Sequence, residues 1–283
     1  MVEPARNPQR LDRLWPRSQP LVMGILNCTP DSFADGGRFF DDDDALRHAE
    51  ELLEGGAEII DVGGESTRPG ADPVDVEEEM RRVVPVITEI RRRRPDIVLS
   101  VDTSKVKVAE ASLAAGADLV NDVTASSAPG MLELVARSGA GIVLMHMRGE
   151  PRTMQTYTTY ENVVAEVHEH LRNRAAAAIA TGIPAHRVWL DPGIGFGKDD
   201  DGNLALLASL PDLAASGHPV LVGPSNKSFI GHLTGAEIGD RLPGTLASLV
   251  PAVGIDRVVV RVHDAAAAVQ FLAIASRLLE ASA

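Results

Sequence analysis

IVLSVDTSKVKVAEASLAAGADLVND, Ile97 to Asp122, decides how the rest of the chain is read. Its two apolar runs, Ile97 to Val101 and Leu119-Val120, are strand-like, and Val106 to Ala115 between them has helix-forming composition. Two strands joined by a helix run parallel, because the crossover carries the chain back to the edge from which it started. Each strand-like run also ends on a polar group, Asp102 after the first and Asn121 after the second.

The same unit recurs in both directions. Apolar, often β-branched runs stand at Leu21 to Leu26, Ile59 to Val62, Ile142 to Met145, Val188 to Leu190, Val220 to Val222 and Val258 to Val262. Helical stretches alternate with them at Ala45 to Leu53, Val76 to Ile90, Met131 to Ala136, Val163 to Ile179, Leu204 to Leu210, Leu246 to Val253 and Ala265 to Leu279. Eight alternations in one chain of this length predict an α/β protein with a single-domain (β/α)8 TIM barrel. An open doubly wound sheet would place a glycine fingerprint after its first strand, whereas Leu21 to Leu26 is followed by NCTPDSF. Residues 1–19 carry Arg and Pro but no apolar signal-like core, and are expected to be a flexible extension ahead of a domain spanning 20–283.

Composition narrows the partners. A net charge of -13 repels polyanions, so neither nucleic acid nor an anionic membrane surface is expected. No apolar run is expected to span a bilayer. The single cysteine, Cys28, can form no internal disulfide, which fits a reducing cytoplasm.

All strand C-termini of a barrel open onto one face, so polar residues just past each strand meet there whatever their separation in sequence. Those positions hold Asn27, Asp61, Asp102, Asn121, His146, Asp191, Lys227, Arg261 and His263. One such Asp or Asn reads as a helix cap, but a ring of them does not. Three carboxylates and two carboxamides suit a flat, nitrogen-rich ring offering several N–H donors. Arg68, Lys227, Arg261 and His263 require an anion nearby, and arginine forks suit phosphate oxygens. The inferred ligand is a heteroaromatic head with a phosphorylated or pyrophosphorylated tail.

Other features are duller. GIGFGK, Gly193 to Lys198, lacks the spacing of a phosphate loop, and its glycines are expected to let backbone lie close to a flat ring. His146 has no second histidine at metal spacing and reads as a packed or hydrogen-bonded group. Asp41 to Asp44 and Asp199 to Asp201 read as favourable charge at helix starts, and Arg91 to Arg94 as a solvated helix end. Trp189 reads as core and Phe33 as a lid residue.

In sequence order, MGILNCTPDSFADGG, DVGGESTRPGA, SVDTSK, Asn121-Asp122, LMHMRGEPRTMQ, DPGIGFGK, PVLVGPSNKSFIG, GTLA and RVHDA resemble the dihydropteroate synthases, from about Leu21 to the last helix. The resemblance implies a TIM barrel that joins 6-hydroxymethyl-7,8-dihydropterin pyrophosphate to p-aminobenzoate and releases pyrophosphate. It implies pterin contacts at Asp102, Asn121, Asp191 and Lys227, with Met145, Phe196 and Gly223 lining the slot and Asp61 as a further family position. It implies an anion and Mg²⁺ site at Asn27, Arg261 and His263, with Asn27 the metal ligand. It implies mobile loops at Thr29 to Gly37, which holds Asp35, and at Ser66 to Pro73, with Thr67, Arg68 and Pro69 near the incoming amine, and it implies Ser228 near the aminobenzoate carboxylate. A homodimer is the implied assembly.

Two stretches depart from the family pattern. Asn226 stands where arginine is usual, and Thr124 to Ser127 where a glycine pair is usual. They motivate a second reading, a pterin-binding paralogue with altered synthase activity. A methyltetrahydrofolate-dependent methyltransferase is a third, although it would need neither the closing loops nor the anion site.

Overall fold

In a computed structural model each apolar run becomes a strand: β1 Leu21–Asn27, β2 Ile59–Gly63, β3 Val98–Asp102, β4 Leu119–Asp122, β5 Gly141–Met145, β6 Val188–Asp191, β7 Val220–Val222 and β8 Val258–Val262. The structure describes residues 9–15, 19–29, 42–66 and 70–282. Every neighbouring pair is parallel, and β8 returns to β1, closing the barrel in the order β1 to β8.

Strand side chains alternate between faces, and here the alternation sorts the core into layers. Val22, Ile60, Leu99, Val120, Leu144, Leu190, Val222 and Val260 point outward and meet the helices in the largest apolar cluster. Met23, Ile59, Val98, Leu119, Val143, Trp189, Leu221 and Val259 point inward and fill the lower barrel. One or two inward steps higher stand Asp61, Asp102, Asn121, Met145, Asp191 and Arg261, so the same alternation that packs the floor builds a polar mouth.

The helices are α1 Gln9–Asp12, α2 Asp42–Glu54, α3 Val76–Arg93, α4 Val106–Ala115, α5 Met131–Ser138, α6 Val163–Ala180, α7 Asp200–Ala208, α8 Leu210–Ala214, α9 Ser228–Thr234, α10 Leu242–Ala247 and α11 Ala265–Ser282. Their departures from expectation have local causes. The Leu204 stretch breaks into α7 and α8, with Pro211 at the start of the second. The Leu246 stretch divides into α10 and a 3-10 turn at Val250–Ala252 containing Pro251. Between β7 and β8, α9 escaped notice because it is short, holds Gly231 and has no side-chain cap.

Three expectations are corrected. The supposedly loose start of the chain contains α1, and Leu11 and Leu14 are buried against the lower barrel cluster. Trp15 meets Trp189 edge-on at 6.2 Å between ring centroids. Burying two leucines is worth on the order of 2 kcal/mol each, enough to hold this segment as a floor under the barrel. Arg91 is no solvated helix end: it is buried, with Nη2 2.6 Å from Asp118 Oδ2. Finally, α11 has the length and apolarity of a membrane span, where none was expected. It packs on β1 and α2 and buries Ala265, Ala268, Leu272 and Ser276.

Candidate active site

The upper barrel opens into a pocket lined by Asp102, Asn121, Val123, Met145, Asp191, Gly193, Ile194, Phe196, Gly223, Lys227 and Arg261. Eight of these were expected from sequence as site residues: Asp102, Asn121, Met145, Asp191, Phe196, Gly223, Lys227 and Arg261. They come from the ends of six strands or the turns just after them, as a barrel mouth requires.

The carboxylate side is organised by Arg261. Its Nε donates to Asp61 Oδ2 at 2.6 Å and its Nη2 to Asp102 Oδ2 at 2.7 Å. Asn121 Nδ2 donates to the same Asp61 oxygen at 3.0 Å. Burial pulls Arg261 down, but Asp61 and Asp102 outweigh it and leave its pKa raised. Burial pushes Asp102 up to about 7, opposed by Arg261 and reinforced by Asp61, Glu79 and Asp122. Asp191 is pushed up to about 6 by burial, against the Gly193 N–H, which donates to its Oδ1 at 2.7 Å, and against Lys227 and Lys198. Asn121 Oδ1 has no hydrogen-bond partner among the described residues. A ligand with N–H donors answers that need.

Another part of the lining is apolar and cationic. Met145 and Phe196 cluster with Val123 and Met154. Lys227 Nζ stands 3.9 Å from the centre of the Phe196 ring, close enough for a cation–π contact.

Asp61 is a correction. Its side chain is fully buried and does not line the pocket, because its register partner on β3 is Ser100, a full inward step below Asp102. It supports Asn121 and Arg261 from beneath. Asn27, His263 and Ser228 also lie outside the lining. Gly63 lies between Asn27 and Asp102: a Cβ built on it would come 3.9 Å from Asn27 Oδ1 and 3.5 Å from Asp102 Cβ. His263 Nδ1 pairs with Ser225 Oγ at 2.9 Å, and that oxygen also accepts the His263 backbone N–H at 3.3 Å. Ser228 is exposed at the first position of α9. Phe33, Asp35, Thr67, Arg68 and Pro69 lie outside the described residues.

Gly193, in the glycine-rich turn after β6, lines the pocket, and the turn also packs closely on protein. Gly193, Gly195 and Gly197 all have left-handed φ, at 68°, 83° and 66°. A Cβ on Gly193 would fall 2.0 Å from the His146 carbonyl oxygen and one on Gly197 2.7 Å from that of Arg148, so these two glycines admit protein backbone, while Gly195 makes room for the Lys227 side chain. Lys198 folds back beneath this turn and is buried, and burial lowers its pKa to about 7. Sequence reasoning did not single out Val123, Ile194 or Lys198, although it had read the glycines of Gly193 to Lys198 as lying close to a flat ligand.

Both departures from the family pattern fall on unusual backbone. Ala125 and Ser126 have φ of 51° and 57°, where glycine is at ease and other residues are strained. Arg174 holds them, with Nε donating to Ala125 O at 2.7 Å and Nη2 to Ser126 O at 2.8 Å. Asn226 has φ of 59°, which asparagine tolerates well, and it does not line the pocket. Its carbonyl accepts from Arg241 Nη1 at 3.1 Å.

A closed parallel barrel whose mouth brings buried carboxylates and a carboxamide together with an aromatic ring and a lysine is the architecture of a pterin-binding enzyme. The chain belongs to that family: the model described as Pterin binding enzyme matches residues 23–263. Within it, the relatives are dihydropteroate synthases. The Escherichia coli K12 dihydropteroate synthase is 45% identical over 264 residues, covering 93% of each chain. The Xanthomonas albilineans dihydropteroate synthase with 4-aminobenzoic acid superposes with a TM-score of 0.86 at 46% identity, covering 92% of this chain and 93% of that one. The same enzyme in complex with 7,8-dihydropteroate gives a TM-score of 0.83 at 44% identity, covering 92% and 94%.

Proposed function

We infer that this chain is a dihydropteroate synthase, condensing 6-hydroxymethyl-7,8-dihydropterin pyrophosphate with p-aminobenzoate to give 7,8-dihydropteroate and pyrophosphate. The observation that carries the reading is the pocket itself, where Asp102, Asn121, Asp191, Lys227 and Arg261 converge beside Met145 and Phe196. Relatives similar over nearly the full chain support the synthase over a methyltransferase.

Each group has a part in this reading. Asp102, Asn121 and Asp191 accept hydrogen bonds from the N–H groups of the pterin, and Phe196 and Met145 cover its faces. The C–O bond to pyrophosphate breaks first, leaving positive charge on the exocyclic methylene that the electron-rich ring disperses and Asp102 opposes. The neutral arylamine nitrogen then forms the C–N bond and sheds one proton. Lys227, Arg261, His263 and Arg68 offset the charge of the departing anion, the kind of electrostatic help that lowers such barriers most. Asp35 and Thr67 belong to the same reading through their loops, and Ser228 through the aminobenzoate carboxylate.

Mg²⁺ fits as a partner of the pyrophosphate. Asn27 is the one protein ligand assigned to it, and no cluster of three His, Cys, Asp or Glu able to hold a metal occurs among the described residues. A donor set this sparse suits Mg²⁺, which keeps several waters and is commonly held by few protein groups together with substrate phosphates. Bound there, it would supply charge neutralisation on the leaving group. A cytoplasmic homodimer completes the reading, supported by the exposed apolar Ile274 and Leu278 on α11.

Pyrophosphate release from the pterin pyrophosphate, followed with and without p-aminobenzoate, tests the function. Release that depends on p-aminobenzoate is expected. Tight pterin binding without such release would instead establish the altered paralogue.

A further inference from the structure

Lys198 is a buried amine that the reaction above does not use; burial lowers its pKa to about 7, while Asp191 and the acceptors around Nζ favour its protonated form. The residue is 3% exposed, and the groups its Nζ hydrogen-bonds are all neutral. Nζ lies 2.8 Å from Phe196 O, 2.9 Å from Gly193 O, 3.1 Å from His146 O and 3.0 Å from His146 Nδ1. Burial, with Lys198 next in weight, pushes the His146 pKa down to about 2, and the neutral ring accepts from Lys198 at Nδ1 in the tautomer that carries its proton on Nε2. An ammonium has three donors and no acceptor, and here it faces acceptors only.

We infer that Lys198 is a positioning residue for the pterin pocket, its ammonium holding the turn after β5 and the turn after β6 at the spacing that presents Phe196 to the ligand. The claim rests on the pterin-binding reading of the pocket given above.

The argument is electrostatic and steric. Three carbonyl oxygens from two turns converge on one point, and without a cation between them their dipoles repel. The turn after β6 has little stiffness of its own, since three of its residues are glycines in left-handed conformation. Its contact with the other turn is backbone against backbone, as the 2.0 Å approach of a Gly193 Cβ to His146 O demonstrates. Both ends of the cage bear on the pocket: Gly193 and Phe196 line it, and Phe196 carries Lys227 Nζ at 3.9 Å. Loss of the ammonium would let the turn swell and shift the aromatic wall, while the residues assigned to the aminobenzoate lie on other segments.

The test compares Lys198→Met, which keeps bulk but no donor, with Lys198→Gln, which keeps two donors and no charge. Pterin affinity is read by calorimetry with 6-hydroxymethylpterin, and KM for each substrate by pyrophosphate release. Because the calorimetry needs no turnover, failure of the synthase reading and failure of this proposal are told apart. Lys198→Met is expected to weaken pterin binding by about tenfold or more, with Lys198→Gln between it and wild type, as charge-assisted hydrogen bonds exceed neutral ones. The aminobenzoate KM should change less than about twofold. In a cycle with Phe196→Leu, the two losses should fall well short of adding, because one residue acts through the other. Wild-type pterin affinity in either folded variant, equal losses for both substrates, or fully additive losses would overturn the proposal.

Discussion

The two ends of the barrel are built from the same strands and treat charge in opposite ways. At the floor, Asp118 receives Arg10 Nη1 at 2.9 Å, Arg91 Nη2 at 2.6 Å and the Leu99 N–H at 3.1 Å. The other Arg91 N–H groups reach the carbonyls of Gly116, Pro95 and Ile97. Each of these charged groups is answered within the chain. At the mouth, Asn121 Oδ1 has no hydrogen-bond partner among the described residues, and Asp102 and Asp191 are held above the usual carboxylate range. The floor is closed chemistry, and the mouth keeps bonding capacity that only a ligand can use.

Mutations should therefore separate into two classes. The largest effect is expected at the mouth: Asp102→Ala should lower turnover on the order of 10³-fold, the scale of a lost transition-state electrostatic contact. Pyrophosphate binding, read by calorimetry, should be largely kept, and near-normal turnover would remove Asp102 from the mechanism. At the floor, Asp118→Ala leaves two buried guanidinium groups without their carboxylate and should cost about 3–5 kcal/mol of stability in urea unfolding. Both KM values should stay near wild type, and a floor mutant that lost substrate affinity before stability would break the contrast.

Smaller effects sharpen it. Asp191 must be ionised to accept two N–H groups, and its folded pKa is raised to about 6. Pterin affinity should thus weaken as pH falls through 6, approaching tenfold per unit, and Asp191→Asn should flatten the profile. Stability of the unliganded protein runs the other way. A raised carboxylate pKa means that the folded state holds the proton more tightly, so the contribution of Asp102 and Asp191 declines as pH rises from the ordinary carboxylate range toward 6 and 7. Urea midpoints across that range, compared with Asp102→Asn, give the sign. The smallest expected change is at the rim, where Ala125→Gly should relieve left-handed strain and raise stability by about 0.5–1 kcal/mol, measured as a higher Tm with unchanged turnover.

Most of this contrast could be read from the sequence, and the parts that could not share a cause. Strands such as Val258–Val262 announce themselves by β-branched composition, and a strand fixes where its end points, so Asp102, Asn121, Asp191 and Arg261 could be sent to one mouth before any coordinates. Depth along the barrel depends on register. Asp61 looked like a lining residue until its pairing opposite Ser100 placed it one inward step lower. Arg91 looked solvated inside a run of arginines because its partner, Asp118, lies far along the chain. Lys198 and α1 were missed for the same reason, since each takes its meaning from a contact between segments and not from its own neighbours in sequence.

The floor also sets an order of assembly during synthesis. The α1 segment is made before the groups that receive it: Arg10 pairs with Asp118, Asp12 with Arg187, and Trp15 with Trp189. Arg187 pairs with Asp12 across 175 positions of chain, so this apolar segment cannot be fully seated until β6 has been translated. A piece made early is then among the last to be locked in.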